Sequence, residues 1–553
     1  MSDAPRATGA RTAHQRATHH PAPRHPAPRH SKGLLLSFVC FGVFMVYLDA
    51  TIVNVALPEI QRDLDAGLSG LQWVVDAYAL AFACLLLTSG TVGDIIGRKR
   101  LFLAGLVGFT LSSVLCALAG STEILLLGRA LQGVCGSIMI PVSLALVSAA
   151  YAEPAARAKA IGIWAGIGGL ALSAGPLVGG VLVDTVGWQS IFWVNVPIGV
   201  LATAVLARLL TENRGPRARR PDLVGQLLFV VAIASLAYAL IEGNSEGWTS
   251  APILGAFAAS GTALAAFVVW ELRQSDPMLP LKLFRKPVVA VAGAVNFLSL
   301  FGLFAAIFLL TLHLQSVQGL SAVETGVRFL ALTVPIMVAS FAASLAAART
   351  GPRAPVVGGS LLSAAGLYGL TLLDAGSGFG AYWWALALLG IGVSFTGAPA
   401  TVALLGAVPP EQAGTASGIS NTFRQVGAVF GVALAGGLLL RHLRDALPGA
   451  LAGVPMPQDA RDRAYVLLSD GDLSRTDALP PALREPVLDA VGPVFVDGMH
   501  LVMQVAAAGT LVGGLCALLL LGRGAGRVAA DAPAAPEAAE AAEPAGTTTG
   551  HVR

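Results

Sequence analysis

The sequence predicts an all-α integral membrane protein of 14 transmembrane helices, and three observations carry that prediction. Only 12% of its 553 residues are charged, 55% are hydrophobic, and mean hydropathy is +0.72. Soluble domains carry about 25% charged residues. Apolar runs long enough to span recur along nearly the whole chain. A spanning helix needs roughly 20 apolar residues, whereas a barrel strand needs about 10 in strict alternation. These runs do not alternate, so they read as helices. The basic residues between the runs fall on one side, which fixes the orientation.

Taken in order, residues 1–32 form a polar, basic tail with a Pro-Arg-His repeat at Pro23–His25 and Pro28–His30. It contains no apolar segment, so it does not read as a signal peptide. Five of the nine histidines fall here, but a disordered tail explains them without a metal. The predicted spans are 33–57, 72–91, 101–120, 123–149, 160–183, 188–208, 223–242, 251–271, 288–313, 326–348, 355–374, 381–407, 415–440 and 499–521. With the N-terminus inside, the inner segments hold 25 of the 35 Lys and Arg, and the short outer loops hold one, Arg62. By the positive-inside rule both termini are therefore cytoplasmic. A long external loop is expected over 441–497, and a second disordered tail over 522–553. The basic inner loops at 208–222 (Arg208, Arg214, Arg217, Arg219, Arg220) and 272–287 divide the helices six, two, six. The domains are thus a six-helix bundle over 33–210, an inserted helix pair with its loops over 211–287, and a second bundle over 288–521.

Composition also excludes functions. A net charge of +3 gives no reason to expect a nucleic-acid partner. Cys40, Cys84, Cys116, Cys135 and Cys516 all fall in predicted spans without metal-ligand spacing, and read as small packing residues. Thirty arginines against five lysines, with abundant Ala and Gly, suggest a GC-rich bacterial genome, and so the bacterial cytoplasmic membrane. No metal or cofactor is expected.

Ionisable groups inside a membrane are costly, and each is a functional candidate. Asp49 sits about eight residues from the outer end of the first span, and Arg129 about six residues into the fourth. At 1.5 Å per residue they lie roughly 12 and 9 Å below the outer surface, matched for pairing. A buried acid carries protons well, because desolvation and a nearby arginine act on it in opposite directions. A static ion pair is the alternative. Asp76, near the outer end of the second span, reads either as a group meeting cationic substrates or as an interfacial acid. Glu242, Glu271 and His313, at helix ends, read as interfacial. Arg424 lies about ten residues into the thirteenth span, flanked by Asn421 and Gln425, and either pairs internally or faces a ligand. Asn54 and Gln132 complete the candidate cavity set. On the fifth span, small residues over 166–180 allow close helix approach, and Pro176 bends the helix.

The stretch Gly90–Arg100 packs glycines, an acid and three bases into eleven residues. It reads as a tight turn bent by Gly90, Gly93 and Gly97, with Arg98, Lys99 and Arg100 anchoring the inner side. Asp94 is placed to cap the N-terminus of another helix entering from the cytoplasm. The thirteenth, starting around Gly414–Gly418, is the candidate partner for a latch when that side is closed.

These motifs resemble those of a known family. Gly90–Lys99 is similar to the loop 2–3 signature of the major facilitator superfamily. Residues 125–136, carrying Arg129, resemble its helix 4 motif, and 175–180 its helix 5 antiporter motif. Residues 48–58, 188–199 and 414–427 resemble the fourteen-helix drug:proton antiporter branch, the EmrB/QacA-like group. One departure is that Ile95 and Ile96 stand where the family often has a basic residue next to the acid.

The resemblance implies a major facilitator fold of 6 + 2 + 6 helices and a monomeric antiporter. Such a protein exchanges protons for a small hydrophobic substrate, a drug or antibiotic, by alternating access across the lipid bilayer. It assigns proton or substrate roles to Asp49 and Arg129, taken here as proton coupling, and conformational gating to Asp94 and Arg98; Gly90, Gly93, Gly97 and Lys99 of the same turn complete the gating candidates. It assigns antiport coupling to Gly175 and Pro176, within the motif that includes Gly179 and Gly180. Export of an endogenous lipid, sugar or siderophore is the second reading. A membrane enzyme lacks support, since no metal motif, nucleophile elbow or phosphate loop is found. A channel lacks a repeated pore loop.

Overall fold

The structure is a computed structural model that describes residues 29–151, 153–213, 221–409 and 412–522. Most of both expected tails, and Arg214, Arg217, Arg219 and Arg220 of the basic loop, lie outside the described residues. Among the described residues, 14 helices are long and apolar enough to cross a membrane. They are α1 Lys32–Leu64, α2 Leu68–Ile96, α3 Arg98–Ala117, α4 Thr122–Ala150, α5 Pro154–Val186, α6 Ser190–Leu209 and α7 Leu223–Glu246. The rest are α8 Ala251–Arg273, α9 Pro287–Val317, α10 Ala322–Thr350, α11 Arg353–Leu372, α12 Trp383–Gly406, α13 Gly414–Ala452 and α14 Pro481–Leu520.

Each predicted span falls on one of these helices. Within α1, Pro58 cannot donate a backbone hydrogen bond, and the chain tightens into a 3-10 turn over Val53–Ala56 just before it. The helix then stops at Asp65, which adopts a left-handed conformation with φ 50°.

The helices alternate in direction, so the bases of the short connections gather at one end. That end carries Arg98, Lys99, Arg100, Arg157, Lys159, Arg273, Lys282, Arg285 and Lys286, and is called here the basic end. In the first part of the chain α2 packs on α4, α3 on α4 and α6, and α1 on α5 and α6. In the last part α9 packs on α13 and α14, α10 on α12, and α11 on α12 and α14. Two contacts join these sets most extensively, α2 with α13 and α5 with α10. Helix α7 lies against α2, α13 and α8, while α8 packs mainly on α7.

The segment expected as a long external loop over 441–497 is mostly helical. Helices α13 and α14 run far past the roughly 20 residues a bilayer needs. A further helix, Gln458–Leu468, and a 3-10 turn, Leu473–Ala478, fill the gap between them. Hydropathy falls here because the helices leave the apolar zone, yet a core stripe continues. Leu443, Leu447 and Leu451 recur every four residues, as do Val487, Val491 and Phe495, and all join one buried cluster with Leu468 and Leu473.

The far end is sealed between the two sets. Gln72 on α2 donates to the carbonyls of Val432 (3.0 Å) and Ala433 (2.8 Å) on α13. Asp184, at the end of α5, accepts from the first backbone N–H groups of α10, at Ala322 (3.1 Å) and Val323 (2.9 Å). Gln315 on α9 donates to the carbonyl of Val55 on α1 at 2.9 Å. Arg475 reaches Asp65 at 2.8 Å.

Candidate functional site

A cavity of about 820 Å³ enters the bundle from the basic end. Its mouth is formed by Asp94 and Arg98 from the α2–α3 connection, Asp276, and Gly414 and Gly418 of α13. Its depth reaches Thr51 of α1, Tyr78 of α2, Phe304 of α9 and Thr333 of α10. Helices of both sets therefore line it, and the sealed far end closes it off.

Behind the cavity wall lies the ion pair. Asp49 of α1 and Arg129 of α4 are both fully buried and directly bonded. Asp49 also accepts from Gln132 (3.0 Å) and from Asn195 of α6 (3.2 Å). Gln132 lies three residues after Arg129, on the same face of α4. Its carboxamide oxygen accepts from Arg129 at 2.9 Å, and its nitrogen donates to Ser113 of α3 at 2.9 Å. Arg129 spends its Nε on the carbonyl of Val74, 3.0 Å away. The guanidinium lies over the Tyr78 ring, 4.5 Å from the centroid, with Phe192 at 5.8 Å. A buried pair survives desolvation only when its remaining lone pairs and protons are matched in this way. Tyr78 lines the cavity and covers Arg129, so a single aromatic ring stands between the ion pair and the cavity. Its hydroxyl donates to the carbonyl of Val46 at 2.9 Å.

The stretch Gly90–Arg100 is built differently from the expected turn. Gly90 and Gly93 are inside α2, and only Gly97 turns the chain, with φ +115°. Glycine inside a membrane helix is a packing residue, and Gly93 faces Val142 of α4. Asp94 accepts from Arg98 Nε (3.0 Å) and Nη2 (2.9 Å), and makes no latch to α13 in this conformation. The open mouth of the cavity lies between them. The acid that does cap a helix here is Glu212, whose carboxylate accepts from the backbone of Lys99 (3.1 Å) and Arg100 (3.3 Å). Lys99 Nζ donates to the carbonyl of Ala207 at 2.8 Å. Ile95 and Ile96 are exposed.

On α5, a Cβ at Gly175 would strike Thr51, and one at Gly179 would strike Ile52 and Val55, so both glycines bring α5 against α1. Pro176 leaves the Leu172 carbonyl without its helical donor, and Thr51 Oγ1 supplies one at 3.3 Å. Gly180 faces the other way. A Cβ there would overlap the carbonyl of Ala322 on α10, and a Cβ on Gly326 of α10 would overlap that of Pro176.

Of the candidate cavity residues, Asn421, Arg424 and Gln425 line the cavity. Asn54, Asp76 and Gln132 do not. Asn54 is buried in the 3-10 turn, donating to the carbonyl of Thr51 at 3.2 Å. Gln132 belongs to the ion-pair network. Asp76 is fully buried on the α2 face between Gln72 and Ala79, both of which meet α13, and neither of its carboxyl oxygens has a hydrogen-bond partner. It is therefore neither interfacial nor exposed to the cavity. Glu271 and His313, at helix ends as expected, are buried within the protein. Glu271 accepts from the backbone of Leu279 at 3.1 Å, and His313 begins a π-turn stacked on Phe495. Glu242 accepts from Trp73 at 2.8 Å. Ser113, Asn195, Asp184 and Glu212 were missed by sequence reasoning.

A multi-helix bundle whose two sets of helices meet around a cavity open at one end has the architecture of a secondary transporter. The chain belongs to the Major Facilitator Superfamily, whose description matches residues 39–432. It is 36% identical to the tetracenomycin C resistance and export protein of Streptomyces glaucescens, over 87% of this chain and 90% of that protein. It is 37% identical to the multidrug resistance protein Stp of Mycobacterium tuberculosis, over 84% and 88%. It is 35% identical to the methylenomycin A resistance protein of Streptomyces coelicolor, over 74% and 86%. A bacterial homolog of the human lysosomal transporter Spinster, solved inward-facing and unoccupied, shares the fold. The TM-score is 0.60 at 17% identity, covering 89% of this chain and 99% of that one.

Proposed function

We propose that the chain exports hydrophobic drug or antibiotic molecules across the bacterial cytoplasmic membrane in exchange for protons, by alternating access. Relatives named for resistance and export align over most of their length at 35–37% identity, which supports the drug-efflux reading. The observation that carries proton coupling is the buried Asp49–Arg129 pair, one aromatic ring away from a drug-sized cavity. In this reading the basic end is cytoplasmic, as the positive-inside rule predicts, and both termini lie there. The molecule acts as a monomer, with two six-helix halves rocking about the cavity and α7–α8 as an inserted pair. Asp49 takes a proton from outside and releases it inside. Protonation removes the charge that holds Arg129, so the α1–α4 contact loosens with each proton that enters.

The test uses inverted vesicles. Asp49→Asn is expected to insert normally and to lose proton-driven uptake of an exported drug. A protonophore is expected to collapse uptake by the native chain. Wild-type uptake by Asp49→Asn would sink the coupling role.

A further inference from the structure

We propose that the cavity selects amphipathic organic anions, with Arg424 as the residue that holds the anionic end. This rests on the exporter reading and names the substrate class of that same cavity. Arg424 lines the cavity from α13, between Asn421 and Gln425. Among the described residues no hydrogen bond or ion pair engages it.

The other charges at the cavity are accounted for. Arg98 is held by Asp94. Asp222 accepts from the backbone of Gly225 (2.8 Å) and from Trp270 (2.9 Å). Asp276 is exposed at the mouth, in the segment between α8 and α9. Asp49 is sealed behind Tyr78 by Arg129, and Asp76 does not reach the cavity. The depth of the cavity therefore carries one uncompensated guanidinium. Its polar neighbours, such as Tyr47, Ser173 and Thr333, are neutral, and its apolar walls include Phe304 and Ile336.

A guanidinium with reduced access to water attracts an anion more strongly than an exposed one and opposes a second cation. Its planar fork pairs with a carboxylate, sulfonate, enolate or acidic phenolate, through charge-assisted hydrogen bonds. The apolar walls then accept the hydrocarbon body. The site fits a hydrophobic molecule with one anionic group, and it disfavours the quaternary ammonium class.

The experiment uses the full chain in lipid nanodiscs, with empty nanodiscs to subtract partitioning. Three probes share one ring system: pyrenebutyrate, pyrenebutanol and pyrenebutyl-trimethylammonium. The native chain is expected to bind the carboxylate at least about tenfold more tightly than the ammonium probe. Arg424→Gln is expected to weaken carboxylate binding by about tenfold and to leave the alcohol within about twofold. Arg424→Lys keeps the charge and is expected to recover most of the preference. Equal weakening of all three probes in Arg424→Gln, a native preference for the ammonium probe, or no carboxylate binding overturns the proposal. Proton-driven uptake of the alcohol in inverted vesicles separates the two readings. If it persists without an anion preference, only the substrate class is wrong. If neither a probe nor a resistance drug moves with the gradient, the exporter reading falls and takes the substrate class with it.

Discussion

Asp49 has three donors, and they differ in how visible they are in the sequence. Arg129 is legible because a charge deep in an apolar run is conspicuous, and its depth matches that of Asp49. Gln132 follows from Arg129, being three residues on along the same helical face. Asn195 is different. It is a neutral residue on α6, and nothing in its local sequence demands that it face α1. Only the packing of α6 against α1 and α3 brings it to Asp49 at 3.2 Å and to Ser113 at 3.4 Å. Its weight is testable. A hydrogen bond to a charged group contributes about 1.5–3 kcal/mol. Asn195→Leu is therefore expected to lower the melting temperature of the purified protein and to slow proton-driven uptake. The loss should be smaller than that of Asp49→Asn, because Arg129 and Gln132 still hold the carboxylate. Uptake and melting temperature equal to the native chain would show that Asn195 is incidental to the network.

At the scale of elements, hydropathy made the spans readable but not their ends. Helices α13 and α14 continue beyond the bilayer as helices packed on each other, where hydropathy no longer marks them. The glycines of α2 were misread for a related reason, since a glycine that bends a turn and one that lets helices touch look alike in sequence. Gly180 is the second kind, and it lies where α5 and α10 meet at the sealed end. Asp184 stands one turn further on and caps α10 through two backbone N–H groups. A helix N-terminus attracts a carboxylate through its free donors and its dipole. The sequence alone points to such an acid at the other end of the molecule, on Asp94, because an acid among bases there is not explained by topology. Gly180→Val is expected to force α5 from α10 and open the far end, reducing transport at least about tenfold. Gly166→Ala, at a cavity-independent position with nothing within 4 Å, is the control and should transport normally. Normal transport by Gly180→Val would remove the close contact from the mechanism.

For the whole molecule, alternating access requires that the two end-closed states lie close in free energy, since a ligand shifts an equilibrium only by its differential affinity. The far-end contacts made here must break when that end opens, and contacts at the basic end must replace them. Asp184 and Asp94 are then counterparts. Asp184 helps to hold the far end shut in this conformation, and Asp94, paired here with Arg98, is expected to hold the basic end shut in the other. Their removal should act with opposite signs. Two hydrogen bonds to Asp184, at about 1.5–3 kcal/mol each, are enough to move the population more than tenfold. The readout is a cysteine in place of Ser417, which lines the mouth, in a chain whose five native cysteines are replaced. An impermeant maleimide is added from the basic side. Asp184→Ala is expected to lower the labelling rate at position 417, because the basic end closes more often. Asp94→Ala is expected to raise it or hold it at its maximum, because closure of that end loses its latch. The double variant should fall between the two. Shifts of the same sign would mean that the acids act on the stability of the bundle and not on the balance between its ends.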